Sequence, residues 1–374
     1  MNPFKEPIYV TRPLLPSIKD YKKRIEDIWE SQWITNNGQQ HQELENKLQD
    51  YLKVDNLSLI NNGTIALQIA LKSLDLKGEV ITTPFTFAAT PHSISWNCLK
   101  PVFCDIDPET LNIDPDKIED LITDKTSAIL AVHVFGTPCN VDKIQKIADK
   151  YGLKVIYDGA HAFGTEINGT AIGNFGDITM YSFHATKLFN TIEGGALACN
   201  DKKLKEKIDL FKNFGIKNEN EVVTIGTNGK MNEFQAAMGL EVLKEVDDER
   251  KNREEIKQVY YNKLKDIEGI NFIHDINNVK NSYQYLVIRI NKDKFGFSRD
   301  ELYEKLKEYN VYTRKYFYPL CSNYDCYNGF NSATKENLPV ANKVVNETLS
   351  LPFYGDLGKE KTIKICNFIQ QLRY

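Results

Sequence analysis

The sequence predicts an α/β fold with a large, mostly parallel sheet and helices on both of its faces. Between residues 57 and 199, short apolar runs alternate with amphipathic segments of helix length, which is typical of parallel sheets. The predicted strands are Leu57–Ile60, Val80–Thr83, Pro101–Cys104, Ala128–Val134, Lys154–Asp158, Ile178–Ser182 and Ala196–Cys199. The predicted helices are Thr64–Leu74, Pro115–Leu121 and Val141–Lys150. Because ligands of open sheets collect at the carboxyl ends of the strands, we expect the chemistry there.

A smaller α+β domain is predicted to follow this sheet. Residues 1–230 would form the large domain with an N-terminal segment, and residues 231–374 a connecting helix and the smaller domain. One long helix is predicted over Met231–Ile267, because dense Lys/Glu pairs continue an apolar start. The later predicted features are a linker at Asp275–Asn281, a strand at Tyr285–Ile290, a helix opened by Ser298, a strand near Val311 and a last helix from Gly358.

Composition excludes several classes of function. The net charge of the 374 residues is −4, so no basic field favours nucleic acid or an anionic membrane. No stretch approaches the roughly 18 uninterrupted apolar residues of a membrane span, and the first ten residues lack the apolar core of a signal peptide. The seven cysteines form no CxxC pair, so we expect reduced thiols, no metal site and a cytoplasmic location.

The first candidate for chemistry is Gly63-Thr64, between a predicted strand and a predicted helix. Glycine allows close backbone approach, and the free N–H groups of a helix start bind phosphate, with the Thr64 hydroxyl as a further donor. An ordinary helix cap preceded by glycine would look the same.

The second candidate is Asp158, the carboxylate at the end of an apolar strand. Such an acid serves as a helix cap, as a metal ligand or as the partner of a cationic ring nitrogen. His161 follows three positions later and would share the same ligand-facing edge, although a lone histidine is also common in a core.

The third candidate is Lys187, in a loop after a buried strand that ends in Ser182. Lysine is rarely placed against an apolar sheet unless its amine is paired or modified. Desolvation lowers its pKa and makes it a nucleophile toward aldehydes. The alternative is a surface lysine whose stem lies along apolar residues.

The three segments together match the needs of pyridoxal 5'-phosphate (PLP). This cofactor presents a phosphate, a pyridine nitrogen and an aldehyde, which call for an anion cradle, a carboxylate and a lysine amine. Gly63-Thr64, Asp158, and Ser182 with Lys187 supply these groups in that order along the chain.

The sequence resembles the DegT/DnrJ/EryC1/StrS family. Members of this family are sugar aminotransferases with the type I (aspartate aminotransferase) fold of PLP-dependent transferases. The resemblance covers nearly the whole chain, and the ordered set of its motifs is specific. The motifs lie at Trp33–Gly38, Asn62–Thr64, Thr83–Phe87, His133–Gly136, Asp158–His161, Ser182–Lys187, Glu193–Gly195, Asn228–Glu233 and Leu351-Pro352.

The resemblance implies a role for each candidate residue of the cofactor site. Lys187 would carry PLP as a Schiff base and move the proton between the substrate carbon and C4′ of the cofactor. Asp158 would keep the pyridine nitrogen protonated, and Phe87 would stack on the ring. His161 would contact the side of the 3-oxygen, where many relatives have glutamine. The phosphate would be held by Gly63, Thr64 and Ser182.

The resemblance also implies a homodimer with shared active sites. Asn228 would reach the phosphate bound by the partner subunit, and Lys230 would lie near the diphosphate of a nucleotide-sugar substrate. A monomer would then be inactive.

The substrate expected from the resemblance is a nucleotide-linked keto-sugar, with L-glutamate as the amino donor. The run at Arg314–Leu320, with Tyr316 and Tyr318 as substrate contacts, is similar to enzymes that aminate C4 of a dTDP-4-keto-6-deoxyhexose. Such enzymes serve O-antigen and lipopolysaccharide synthesis. The alternatives are amination at C3 of a dTDP-3-keto-6-deoxyhexose, or tyrosines that only pack the smaller domain.

Three other functions are consistent with the fold class. Some relatives are PLP-dependent sugar dehydratases with histidine in place of the Schiff-base lysine. The presence of Lys187 argues against a dehydratase function. A cysteine desulfurase would need a reactive cysteine on a mobile loop, which the sequence does not offer. A ligand sensor without activity is the last alternative, since fold alone does not fix function.

Overall fold

A computed structural model describes residues 2–372. Its strands are β1 Ile8–Tyr9, β2 Asn56–Ile60, β3 Glu79–Thr82, β4 Lys100–Phe103, β5 Thr126–Val132, β6 Lys154–Asp158, β7 Glu166–Ile167, β8 Thr170–Ala171, β9 Ile178–Ser182, β10 Gly195–Cys199, β11 Ile216–Asn218, β12 Glu221–Val222, β13 Ile270–Phe272, β14 Val279–Lys280, β15 Leu286–Ile290, β16 Val311–Tyr312 and β17 Thr348–Leu351. Its α-helices are α1 Ile18–Ser31, α2 Gln39–Leu52, α3 Gly63–Ser73, α4 Ala89–Trp96, α5 Val141–Tyr151, α6 Lys202–Lys212, α7 Glu233–Leu243, α8 Val246–Leu264, α9 Lys292–Phe295, α10 Arg299–Glu308, α11 Pro339–Val344 and α12 Gly358–Gln371.

A seven-stranded sheet forms the centre of the larger part, in the order β2-β10-β9-β6-β5-β3-β4. Strand β10 is antiparallel to both of its neighbours, and the strands from β9 to β4 are parallel. These are the seven strands that the apolar runs predict, each shifted by two residues or fewer at either end. The predicted α/β class is therefore confirmed.

Both faces of this sheet are covered, which explains its near-continuous apolar strands. Along β6, Ile156 packs into one apolar cluster while Val155 and Tyr157 pack into another on the opposite face. All three side chains are fully buried. The carboxyl ends of β2, β6 and β9 consequently meet at one edge, and the site residues follow there.

Two helix predictions are wrong in detail. The segment predicted as a helix at Pro115–Leu121 forms two short 3₁₀ turns, at Pro115–Lys117 and Glu119–Leu121. The single helix predicted over Met231–Ile267 is two helices, α7 and α8, separated at Lys244 and Glu245. Helix α7 packs on α1 and α2 of the larger part, whereas α8 packs on α12 of the smaller part. One straight helix could not pack on both the larger and the smaller part. The Lys/Glu pairs nevertheless favour a helical conformation over the whole segment.

The smaller part is built on an antiparallel sheet in the order β13-β15-β17, covered by α8, α10 and α12. Strand β1 pairs in parallel with β16, so Ile8 joins the apolar core of this part. Conversely, Phe317 and Leu320, which follow β16 of the smaller part, pack into the core of the larger part. The chain therefore crosses between the two cores more than once. The boundary predicted between residues 230 and 231 stays a prediction.

Within residues 2–372, no helix has both the length and the apolar character needed to cross a membrane. All seven cysteines are free thiols.

Candidate active site

The first element of the site is the start of α3, directly after β2. Gly63 is the first residue of this helix, and the side chain of Asn62 caps it by accepting a 2.8 Å hydrogen bond from the N–H of Ile65. A Cβ placed on Gly63 would lie 3.2 Å from Ser182 Oγ, so the Ser182 hydroxyl stands beside the helix start. Thr64 is exposed at the same turn. A helix N-terminus with two adjacent hydroxyl groups can bind a phosphate.

Asp158 lies at the end of β6 and is buried. Its Oδ1 accepts a 3.0 Å bond from the N–H of Ala160, and its Oδ2 accepts a 2.8 Å bond from Thr90 Oγ1. Burial raises the pKa of this carboxyl, and the two hydrogen bonds and the charge of Lys187 oppose that rise. A buried carboxylate oriented in this way is a suitable partner for a cationic ring nitrogen.

Lys187 lies in the loop between β9 and β10, with its amine 5.8 Å from the ring centroid of Tyr285. Desolvation lowers the pKa of this amine to about 8, although the negative charge of Asp158 raises it. A larger fraction of the amine is therefore uncharged near neutral pH than for an ordinary lysine, whose pKa is about 10.4. This is the state that attacks an aldehyde.

His161 is buried, and its ring lies nearly parallel to the ring of Phe317 at a centroid distance of 5.9 Å. The N–H of Phe135 donates a 3.3 Å bond to Nδ1 of His161, so the proton of the neutral ring belongs on Nε2. Burial, and then the charge of Lys187, hold the pKa of His161 well below its usual range. His161 thus offers an uncharged donor.

Phe87 lies between β3 and α4 and is 64% exposed. Its carbonyl accepts a 3.2 Å bond from the N–H of Thr90, the residue that also holds Asp158. An exposed aromatic ring attached to the site in this way is available to stack on a planar ligand.

Asn228 and Lys230 lie beside the carboxyl end of β2, where the N–H of Asn61 donates a 2.8 Å bond to the carbonyl of Gly229. Oδ1 of Asn228 accepts a 2.7 Å bond from Lys230 Nζ. The Lys230 amine lies 4.4 Å from the ring centroid of Phe214, and partial burial lowers its pKa. The Asn228 side chain is exposed.

The two tyrosines predicted to bind substrate lie in different places. Tyr316 packs on Tyr285 with a centroid distance of 5.2 Å, and burial raises the pKa of its hydroxyl. The ring centroid of Tyr285 also lies 5.8 Å from the Lys187 amine, so Tyr316 and Lys187 pack against the same side chain. Tyr318 is exposed, and its ring lies 5.4 Å from Cζ of Arg299 in the smaller part. The structure therefore brings Tyr316, but not Tyr318, to Lys187.

Sequence reasoning missed three residues of this site: Thr90, Gln284 and Tyr285. Thr90 bonds Asp158, and its hydroxyl lies 2.9 Å from that of Thr86. Gln284 and Tyr285 come immediately before β15, about a hundred positions after Lys187, so no local pattern relates them to it. Among the described residues 2–372, no group of three or more His, Cys, Asp or Glu side chains could hold a metal ion.

Comparison with known proteins defines the class. Residues 17–370 match the DegT/DnrJ/EryC1/StrS aminotransferase family, and the chain belongs to this family. The predicted family is confirmed.

Individual relatives are also similar over nearly their full length. The chain is 48% identical over 365 residues to the dTDP-4-amino-4,6-dideoxy-D-glucose transaminase of Escherichia coli, covering 97% of this chain and 98% of the relative. It is 45% identical to the enzyme of that name from Shigella dysenteriae, covering 99% of this chain and 100% of the relative. The crystal structure of DesI with its TDP-sugar product matches with a TM-score of 0.95 and 34% identity, covering 100% of this chain and 94% of that one. These matches confirm the type I fold of the family.

Proposed function

We propose that the protein is a PLP-dependent aminotransferase that moves an amino group from L-glutamate to C4 of a nucleotide-linked 4-keto-6-deoxy sugar, with dTDP-4-keto-6-deoxyglucose favoured. The observation that carries this proposal is the placement of Lys187. Its amine, with a pKa lowered to about 8, lies near the buried carboxylate of Asp158.

The described residues fit PLP. The helix start at Gly63 and the Ser182 hydroxyl suit its phosphate. A Cβ on Gly63 would lie 3.0 Å from the Cβ of Ser182, so glycine leaves the space between the helix start and Ser182 open. Asp158 suits the pyridine nitrogen, and the exposed ring of Phe87 suits its face. When bound, PLP supplies an electron sink for charge that develops on the substrate carbon.

The chain would contribute proton transfer and orientation. The Lys187 amine would take and return the proton at the substrate carbon, because its lowered pKa allows it to act as a base near neutral pH. The Asp158 carboxylate would keep the ring nitrogen charged. His161 would donate from Nε2 to the 3-oxygen of the cofactor, since its Nδ1 is occupied by the N–H of Phe135.

The substrate proposal is supported by the relatives. Two transaminases named for a 4-amino sugar are 48% and 45% identical to the chain. A transaminase named for dTDP-3-amino-3,6-dideoxy-alpha-D-galactopyranose, from Aneurinibacillus thermoaerophilus, is 30% identical. The higher identity favours C4 over C3. Lys230 near the diphosphate and Tyr316 near the sugar are the contacts that we propose, with Tyr318 as a further one if it turns inward.

We also propose a cytoplasmic homodimer in which Asn228 completes the site of the partner subunit. The exposed amide of Asn228 and the exposed apolar residues Ile216, Val222 and Ile225 support this arrangement. They lie on one segment, residues 216–228, that includes the β11–β12 pair. A second copy would cover these residues.

A half-reaction with amino-sugar products tests the proposed function. The PLP-loaded protein is mixed separately with the 4-amino and the 3-amino forms of dTDP-6-deoxyglucose and with the matching UDP sugars. We expect the dTDP-4-amino sugar to shift the visible absorbance of the cofactor and to yield the 4-keto sugar by NMR. Conversion of the 3-amino sugar alone would contradict the proposed regiochemistry. A protein that binds no PLP would contradict the proposal as a whole.

The lowered pKa of Lys187 predicts how cofactor capture depends on pH. The amine is protonated below about 8 and uncharged above it, so the rate of covalent PLP capture by the cofactor-free protein should rise with pH and level off above about 8. An ordinary lysine would level off only above about 10.4. Stopped-flow absorbance at a series of pH values measures this rate. A curve still rising steeply between pH 9 and 10 would contradict the assigned environment.

A further inference from the structure

A short segment of the smaller part reaches into the site and contacts two of its loops. We call residues Ser282–Tyr285, immediately before β15, the brace. Ser282 Oγ donates a 2.6 Å hydrogen bond to the carbonyl of His161. The ring of Tyr285 lies edge-on to the His161 ring at 5.1 Å and beneath the Lys187 amine. The brace thus contacts the backbone of one candidate residue and the side chains of two.

Gln284, in the middle of the brace, forms hydrogen bonds on both sides of Lys187. Its Oε1 accepts a 2.7 Å bond from the N–H of Leu188, and its Nε2 donates a 3.0 Å bond to the carbonyl of Thr186. Only one orientation of the amide satisfies both peptide groups, so the arrangement is unambiguous. Gln284 is 1% exposed, and water therefore cannot readily replace either bond.

The brace is itself fixed to α8. Nη1 of Arg253 donates a 3.3 Å bond to the carbonyl of Tyr283, and its Nε donates a 2.6 Å bond to Glu249 Oε1. Arg253 is 1% exposed. Gln284 is therefore held on two sides. Arg253 links its neighbour Tyr283 to α8, and its own amide binds the loop of residues 183–194 that carries Lys187, which we call the lysine loop.

We propose that Gln284 is a positioning residue for Lys187, an inference that rests on the proposed function. The two peptide groups that it holds set the direction in which the Lys187 side chain leaves the backbone. Loss of both bonds would let the loop shift, and the amine would meet the cofactor aldehyde and the substrate carbon less often in a reactive geometry. A displacement of about 1 Å at a reacting group costs about 10²-fold in rate.

The test compares Gln284→Met, which keeps the length of the side chain and removes both bonds, with the unaltered protein. We expect the rate of covalent PLP capture and kcat each to fall about 10²-fold. We expect KM for the nucleotide sugar to change by less than about threefold, because the substrate contacts that we propose, Lys230 and Tyr316, lie outside the lysine loop. Stopped-flow absorbance measures capture, and steady-state assays measure kcat and KM.

Gln370→Met is the matched control. Nε2 of Gln370 donates a 2.8 Å bond to the carbonyl of Lys263, on the surface of the smaller part. This variant loses a glutamine hydrogen bond far from Lys187 and should leave capture and kcat unchanged. Equal capture rates and equal kcat in Gln284→Met and Gln370→Met would overturn the proposal.

Gln284→Glu covers the case in which the methionine variant does not fold. Its ionised carboxylate can still accept from the N–H of Leu188 but cannot donate to Thr186, so at pH values at which it is ionised a capture at least tenfold slower is expected, about half of the 10²-fold effect on a logarithmic scale. Unchanged capture in this variant would also overturn the proposal. If the unaltered protein captures no PLP, the proposed function fails. If it captures PLP normally and Gln284 variants match it, only the role of Gln284 fails.

Discussion

Lys187→Ala is expected to lower kcat for amino-sugar formation by at least about 10³-fold, because it removes both the nucleophile and the proton-transfer group. PLP would remain bound only through noncovalent contacts, such as those proposed for Gly63, Ser182 and Asp158, and more weakly than before. Reduction with borohydride, followed by mass spectrometry of the intact chain, should add the mass of the cofactor to the unaltered protein and not to the variant. Steady-state assays measure the loss of turnover.

Lys150→Ala is a suitable control for Lys187→Ala. Lys150 lies on α5, pairs with Glu119 at the surface and is far from the ligand-binding edge. Its replacement should leave both turnover and cofactor attachment unchanged, since exposed ion pairs contribute little. Turnover by Lys187→Ala equal to that of the control would refute the assignment of Lys187.

The sequence could predict the sheet because each of its strands is a local pattern. Apolar runs at Lys154–Asp158 and Ile178–Ser182 have the predicted bounds in the structure. Their end residues, Asp158 and Ser182, could be recognised as candidates because ligands bind at that edge of a parallel sheet. The family resemblance then supplied a role for each of them.

The sequence could not predict the contacts that orient these candidates. Thr90 donates to Asp158 across 68 positions of the chain, and Gln284 bonds Leu188 across 96. Such pairs arise only when the smaller part packs on the larger one, as for Gln284, or when a helix packs at the end of a distant strand, as α4 with Thr90 does at the end of β6. The break between α7 and α8 has the same origin, since the local propensity at Lys244 and Glu245 favours a continuous helix.

Tyr318 shows the limit of carrying a role over from a motif. The motif placed Tyr316 and Tyr318 together as substrate contacts, but they turn to different surroundings. Tyr316 packs on Tyr285, while Tyr318 packs on Arg299. Its contact with substrate stays a prediction.

Asp158→Asn is expected to lower kcat by about 10²–10³-fold while the protein remains folded. The amide has the same shape, and its oxygen can still accept the hydrogen bond that the N–H of Ala160 gives to Oδ1. The Thr90 hydroxyl, which now donates to Oδ2, can turn to accept from the new NH₂ group. What is lost is the negative charge. Breaking a buried ion pair costs about 3–5 kcal/mol, and each 1.4 kcal/mol is about tenfold in rate or equilibrium.

Asp177→Asn separates this charge effect from a general effect on the sheet. Asp177 lies at the opposite edge, where it accepts 2.8 Å bonds from Lys154 Nζ and from the N–H of Val155. Its replacement should lower the melting temperature slightly and leave kcat unchanged. If Asp158→Asn lowered the melting temperature as Asp177→Asn does but kept full kcat, Asp158 would be a structural cap at the end of β6. A large loss of kcat at an unchanged melting temperature is the result expected if the negative charge of Asp158 acts in the site, because the hydrogen bonds that hold the side chain survive the substitution.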